Sequence, residues 1–171
     1  VFVNVVNVLQ VQQVAKMTGF ISDFYHNSWC SAGKNFPEET LEQTRKYHVA
    51  VRNMVGSSKF QGREDFAVVV QPFLEETILP ELPNGEADLS YFAPDCFHFS
   101  SKAHAVAGKE LWNNMNQKVG TKSIQWDARS TDVVCPTEEF PYLYTHKNSM
   151  DGFDITPPDD GSFAVTIKAA K

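Results

Sequence analysis

Apolar, mostly β-branched residues fill the start of the chain and recur in one later block. Residues 1–11 read VFVNVVNVLQV, and residues 66–72 read FAVVVQP, so that Pro72 closes the second block. Valine-rich runs of this kind are typical of buried strands, and a continuous apolar block is typical of a parallel strand covered on both faces. The pattern therefore predicts one strand in each segment.

A helical period is clearest between the two apolar blocks, at residues 37–55. Pro37 suits the first turn of a helix, and the acidic Glu38 and Glu39 suit its positive N-terminal end. Gly56 is a common helix stop. One helical face is formed by residues at steps of three and four, namely Leu41, Thr44, His48, Val51 and Val55.

A second helix is predicted after residue 100. Ser100 or Ser101 can cap its start, and Gly120 follows its expected end near Val119. Its apolar stripe consists of Ala103, Val106, Ala107, Leu111 and Met115. The order strand, helix, strand, helix predicts an α/β sandwich with a parallel sheet.

The remaining segments lack a sustained period. We predict a short helix at 14–17, loops at 21–36 and 73–93, and an extended, irregular segment at 121–148. The acidic, Pro-containing stretch at 151–160 is typical of a linker or tail.

The composition argues against a membrane-spanning protein and against a nucleic-acid-binding protein. The 171 residues suffice for one domain, and 42% hydrophobic with 21% charged residues is an ordinary globular composition. No apolar run approaches the ~18 residues of a membrane-spanning helix. A net charge of −6, with 15 lysines and arginines that do not cluster, argues against a nucleic-acid partner.

The start of the chain and its cysteines bear on its origin. It opens in an apolar strand at Val1 rather than at Met, without a signal-peptide pattern, so we expect a fragment or processed piece. Cys30, Cys96 and Cys135 make an odd count. They are either three reduced thiols or one disulfide and an orphan, and composition does not choose between these.

The densest chemistry lies in residues 92–100, FAPDCFHFS. Asp95 and His98 are three residues apart, a spacing that lets a carboxylate reach an imidazole within one turn. An Asp bonded to Nδ1–H leaves Nε2 free as a general base. The plainer alternative is a turn in which Asp95 and Ser100 satisfy backbone groups.

The stretch DCFHFSSKAHAVAGKELWNNM, followed by Cys135-Pro136-Thr137 and by PYLY at 141–144, is similar to the phospholipase B branch of the GDSL (SGNH) hydrolases. The resemblance covers residues 1–149 and is strongest from Tyr91 to Ser149. It implies the C-terminal part of a flavodoxin-like α/β/α sandwich, the SGNH hydrolase fold, with residues 150–171 as a tail or linker.

The resemblance also implies an activity, hydrolysis of phospholipid or lysophospholipid esters by a Ser-His-Asp triad. His98 matches the general base and Asp95 its orienting acid, whereas His104 matches a second histidine with no assigned catalytic role. The family's Gly-Asp-Ser block and its G-x-N-D block are both absent here. We therefore expect the nucleophile to lie outside this chain and the isolated chain to be inactive.

Further expectations concern ligands and location. Phe92 is a candidate wall for an acyl chain, with core packing as the equal alternative. The Cys and His spacings match no zinc site, so no metal or other cofactor is expected. We expect a Cys96–Cys135 disulfide and an upstream partner for Cys30, hence an extracellular or outward-facing, membrane-anchored location, with the membrane surface met through the substrate.

A rival hypothesis belongs to a different class. Because the triad is incomplete, the chain could be a non-catalytic α/β module that binds a lipid or a partner. A G-x-N-D block within a few tens of residues upstream of Val1 would favour the enzyme, whereas its absence, with no Gly-Asp-Ser further back, would favour the binding module.

Overall fold

The structure is a computed structural model that describes residues 1–126, 128–129, 132–138 and 140–149, and the backbone alone at 153–154 and 166–167. The elements, in chain order, are β1 (Phe2–Val6), α1 (Phe20–Trp29), α2 (Ser31–Asn35), α3 (Pro37–Gly56), β2 (Ala67–Gln71), α4 (Ser101–Met115), β3 (Phe153–Asp154) and β4 (Thr166–Ile167). Short 3₁₀ turns lie at Val11–Lys16, Leu89–Tyr91 and Lys147–Ser149.

The two predicted strands pair with each other in parallel. Phe2 lies opposite Ala67, and the register continues to Val6 opposite Gln71. Val68 and Val69 are adjacent and both buried, so both faces of β2 are covered, because successive side chains of a strand point to opposite faces. Helices α3 and α4 both contact β2. The described part is thus a small α/β unit around a two-stranded parallel sheet.

Both predicted long helices are present. Helix α3 begins at Pro37 as expected and buries Thr44, His48 and Val55 on one face. Helix α4 is capped by Ser100, whose hydroxyl accepts the backbone N–H of Ala103 at 3.4 Å.

Helix α4 ends at Met115, four residues earlier than predicted. Side chains donate hydrogen bonds to the carbonyls in its last turn and just beyond it. The Asn116 amide donates to the Trp112 carbonyl at 2.9 Å, and Lys122 donates to the carbonyls of Asn114 and Gln117. Burial of this ammonium group lowers the pKa of Lys122 to about 8.

The predicted loop at 21–36 is wrong, because this segment forms helices α1 and α2. The apolar period is missing here because α1 buries polar side chains, Ser22 and His26, one helical turn apart. The Ser22 hydroxyl donates to the Gly19 carbonyl at 3.0 Å, which satisfies a polar group inside the protein. A pattern of buried apolar residues therefore cannot reveal this helix.

The main hydrophobic core lies between α4 and the segments that follow β2. Its buried members are Phe73, Leu74, Tyr91, Ala103 and Trp126. Phe99 stacks on Trp126 with ring centroids 5.3 Å apart. The apolar stripe predicted for α4 packs here through Ala103, Val106, Ala107 and Leu111.

Three predictions concern the chain's end and its membrane relationship. The predicted tail at 151–160, and most of 150–171, lie outside the described residues, except that β3 and β4 pair antiparallel there. The division at residue 149 remains a prediction. Within the part of the chain that the structure describes, no helix is long and apolar enough to cross a membrane.

A buried carboxylate joins the segments that leave the two strands. Glu75 accepts a hydrogen bond from Asn7 Nδ2 at 2.8 Å and forms an ion pair with Arg52. His48 Nδ1 lies 4.0 Å from the same carboxylate, and its Nε2 donates to the Val8 carbonyl at 2.8 Å. This network ties α3 to the carboxyl ends of both strands.

We expect Glu75→Ala to lower the free energy of unfolding by ~3–5 kcal/mol, because it leaves Arg52 and Asn7 without their buried partner. Urea denaturation followed by circular dichroism measures the loss. The matched control is Glu76→Ala, since Glu76 is the exposed neighbour. Equal, small losses in both variants would contradict the assigned role of Glu75.

Candidate active site

The predicted acid–histidine pair is formed. His98 Nδ1 lies 2.6 Å from Asp95 Oδ2, and the side chains are 66% and 28% exposed, respectively. A carboxylate accepts hydrogen bonds, so this contact places the proton on Nδ1 when the ring is neutral. Nε2 is then the free, basic nitrogen. The arrangement is that of a base oriented by an acid.

The plainer alternative, in which Asp95 accepts hydrogen bonds from the backbone of its own turn, is also present. It uses Oδ1, the carboxylate oxygen that does not contact His98. Asp95 Oδ1 accepts the backbone N–H groups of Phe97 and His98, each at 3.0 Å. The His98 ring contributes most to holding the pKa of the Asp95 carboxyl below its usual 3.8, the two backbone donors add to this, and desolvation opposes it. The carboxylate therefore stays ionised beside the imidazole.

Backbone hydrogen bonds close the loop around this pair. The Ala93 N–H donates to the His98 carbonyl at 2.8 Å, and the Ser100 N–H donates to the Tyr91 carbonyl at 3.0 Å. Cys96, between the two site residues, has a left-handed φ of 56°. A non-glycine residue in that region costs about 1–2 kcal/mol, so the surrounding contacts must hold it there.

One such contact comes from a histidine that the sequence analysis did not single out. His26 is completely buried in α1, and its Nε2 donates to the Cys96 carbonyl at 2.8 Å. It thereby fixes the strained residue that separates Asp95 from His98. The prediction of a loop at 21–36 concealed this residue, because only a helical register shows that Ser22 and His26 share one buried face.

An apolar cavity of about 260 Å³ opens beside the pair. Its lining includes His98, His104, Leu79, Phe92, Phe99 and Trp126. Phe92 also packs against the main core and against a second, smaller cluster of Met17, Leu79 and Cys96, so it is at once a wall of the cavity and part of the core. The His104 ring meets Phe99 edge-on, with centroids 5.8 Å apart, rather than the Asp95–His98 pair.

Two serines that flank the pair in the sequence have other partners. The Ser90 hydroxyl donates to Asp88 Oδ1 at 2.6 Å, and the Ser100 hydroxyl donates to the Ser90 carbonyl at 2.8 Å while capping α4. Neither hydroxyl is hydrogen-bonded to His98 in the described part of the chain.

The three cysteines are free thiols in the structure. Cys96 is buried and Cys135 is exposed, so the expected disulfide between them is not formed, and Cys30 is half-buried. Burial, followed by the nearby charge of Asp95, raises the pKa of Cys96. Burial also raises the pKa of Cys30. Among the described residues, no group of three or more His, Cys, Asp or Glu side chains is arranged to hold a metal ion.

Comparison with known proteins identifies relatives of one kind. The chain is 36% identical over 162 residues to human "Phospholipase B1, membrane-associated", a match that covers 88% of the chain. The mouse and rat proteins of the same name are 42% and 37% identical over 67% and 70% of the chain. The chain spans only 11%, 8% and 8% of these relatives, respectively.

These similarities support a phospholipase B-like relationship. No protein-family model matches the chain. No solved structure matches it either.

We expect His26→Ala to lower the free energy of unfolding by ~2–4 kcal/mol, because it opens a cavity and leaves the Cys96 carbonyl without its donor. His26→Gln retains a donor and should lose less. Thermal and urea unfolding of both variants give the comparison. Equal stability of His26→Ala and the unaltered chain would show that the contact is dispensable.

The low pKa of Asp95 predicts a pH dependence. Its folded-state pKa is depressed, so the carboxylate contributes stability above its unfolded-state pKa, and this contribution is lost as the pH falls through the folded-state value. Asp95→Asn should therefore reduce the acid sensitivity of unfolding below about pH 4. Urea unfolding across that range tests this, with the exposed Asp65→Asn as control. An unchanged acid profile in Asp95→Asn would contradict it.

Proposed function

We propose that residues 1–149 are the C-terminal part of an SGNH (GDSL) hydrolase domain that cleaves carboxylic esters of phospholipids or lysophospholipids. The supporting observation is the hydrogen-bonded Asp95–His98 pair in a chain related to phospholipase B1. In this proposal, β1 and β2 are neighbouring strands of a larger parallel sheet in a flavodoxin-like α/β/α sandwich.

His98 would act as the general base. Its Nε2 takes the proton from a serine hydroxyl while the serine oxygen attacks the carbonyl carbon of the ester. The tetrahedral intermediate then loses the alcohol, which receives that proton from Nε2–H. In the second half, Nε2 accepts a proton from water while the water oxygen attacks the acyl carbon. The acyl–serine bond then breaks, Nε2–H returns the proton to the serine oxygen, and the carboxylic acid leaves. No cofactor is required.

Asp95 would orient this base and remain charged throughout. Its acceptor contact with Nδ1 fixes the ring, and its negative charge stabilises the imidazolium that forms when Nε2 is protonated. The depressed pKa of the carboxyl supports an ionised state at neutral pH.

The serine is proposed to lie in a part of the protein outside these 171 residues. Two observations support this: the chain contains no Gly-Asp-Ser, and Ser90 and Ser100 are engaged by other groups. The relatives are many times longer than this chain, so there is ample sequence from which such a residue could come.

The apolar cavity beside His98 supports the substrate class. Its apolar walls, Phe92 among them, suit an acyl chain whose ester carbonyl lies at the imidazole. A phospholipid substrate would bring the enzyme to a membrane surface, in keeping with the words "membrane-associated" in the relatives' names. An extracellular or outward-facing location belongs to the same proposal.

In the intact protein we expect His98→Ala to lower kcat for phospholipid ester cleavage by at least ~10³-fold, because it removes the base that activates the serine. Asp95→Asn should lower kcat by an equal or smaller factor, up to about 10⁴-fold. His104→Ala is the comparison variant: the ring lines the cavity but contacts Phe99 instead of the pair, so its loss should have only a mild effect on kcat. Initial rates of fatty-acid release measure all three. Circular dichroism establishes that each variant is folded.

The isolated 171-residue chain should not hydrolyse p-nitrophenyl esters above the buffer rate. Turnover by the pure chain would refute an external serine. Near-normal turnover by a folded His98→Ala enzyme would refute the role of His98, and an intact protein that binds lipid but cleaves no ester would favour the non-catalytic binding module.

A further inference from the structure

Helix α1 carries its aromatic residues on the outside. Phe20, Phe24 and Ile21 are 88%, 62% and 56% exposed, whereas the buried members of the helix are Ser22 and His26. Phe20 and Phe24 are four residues apart and so lie one above the other on the helix surface. The usual arrangement of a surface helix, apolar inside and polar outside, is reversed.

The aromatic surface continues along the helix to its C-terminal end. The rings of Phe24 and Tyr25 meet edge-on with centroids 5.4 Å apart, and those of Tyr25 and Trp29 meet edge-on at 6.4 Å. Trp29 is 77% exposed. Phe20, Ile21, Phe24, Tyr25 and Trp29 are called the α1 aromatic face below.

This face carries no charge of its own that a lipid surface would have to desolvate. The helix contains one acidic residue, Asp23, which forms an ion pair with Lys34 of α2, and its single histidine, His26, is completely buried. It contains no lysine or arginine. An uncharged, aromatic helix face matches the interfacial zone of a neutral bilayer, where aromatic rings are enriched.

The α1 aromatic face also lies beside the candidate active site. Tyr25 and Trp29 line one small cleft together with Asp95, Phe97 and His98. A lipid surface that rests on this helix would therefore lie next to the imidazole that the proposed reaction uses.

We propose that the α1 aromatic face docks the protein on the surface of zwitterionic phospholipid and so delivers ester groups to His98. This inference rests on the proposed function. A second copy of the chain is a poorer occupant, because a ten-residue helix is only about 15 Å long, whereas a standard protein interface buries about 800 Å² per partner. A strongly anionic surface is disfavoured by the net charge of −6.

Binding is tested without turnover, by sedimentation of the chain with phosphatidylcholine vesicles. Phe20→Ser/Phe24→Ser should lower the partition coefficient at least about tenfold, because two large apolar groups no longer enter the interface. The matched control is Tyr47→Ser/Tyr142→Ser, which removes two exposed aromatics elsewhere, 55% and 69% exposed, and should change it little. Raising the salt concentration should not weaken binding, because the contact is apolar.

Trp29 reports directly on the contact. Brominated phosphatidylcholine should quench the fluorescence of the unaltered chain, and Trp29→Phe should remove most of that quenching. Of the other two tryptophans, Trp126 is buried, and Trp112 lies on α4, 37% exposed, with its indole N–H bonded to the Val134 carbonyl. Vesicle binding that survives Phe20→Ser/Phe24→Ser, or quenching that survives Trp29→Phe, overturns the proposal. So does self-association through this face without any vesicle binding.

A final comparison separates this inference from the proposed function. In the intact protein, Phe20→Ser/Phe24→Ser should retain hydrolysis of a dissolved short-chain ester and lose at least about tenfold in rate on vesicles. If Phe20→Ser/Phe24→Ser loses neither rate, the docking surface is overturned and the proposed function is not. If the unaltered protein hydrolyses neither the dissolved ester nor the vesicle lipid, the proposed function is overturned instead.

Discussion

The candidate site depends on the two oxygens of a single carboxylate. Asp95 uses Oδ1 to accept two backbone N–H groups and Oδ2 to accept the His98 ring, so one side chain shapes the turn and orients the imidazole. The two tasks support each other, because a turn that places the His98 backbone also places its ring within reach. The structural and chemical interpretations of the D-x-x-H spacing are therefore not alternatives in this molecule.

That turn is held from outside by contacts distant in sequence. His26 lies 70 residues before Cys96, whose left-handed backbone it fixes through the carbonyl. On the other side, Ser100 caps α4 and donates to the Ser90 carbonyl, which joins the end of the turn to both the helix and the preceding loop. The Glu75 network similarly ties the segments after β1 and β2 to α3. Paired polar groups, with Glu75 and His26 buried among them, thus position the loops of a small α/β unit.

Sequence analysis predicted the features whose determining residues lie close together in the sequence. The valine runs of β1 and β2, the helical period of α3, the serine cap of α4 and the Asp95–His98 spacing are all visible within a few residues. Helix α1 is not, because its buried face is polar and offers no apolar period. The contacts of Glu75 with Asn7 and of His26 with Cys96 span 68 and 70 residues, and nothing in the sequence alone joins such positions.

The reversed polarity of α1 follows from the same constraint that shapes the turn. The Cys96 carbonyl is buried and needs a donor, since an unpaired buried carbonyl costs about 1–3 kcal/mol. His26 supplies that donor only if its face of the helix points inward, and Ser22, one turn earlier, must then be buried as well. The opposite face, with Phe20 and Phe24, is consequently turned to the outside. Satisfying one carbonyl of the candidate site thus also places an aromatic surface beside it.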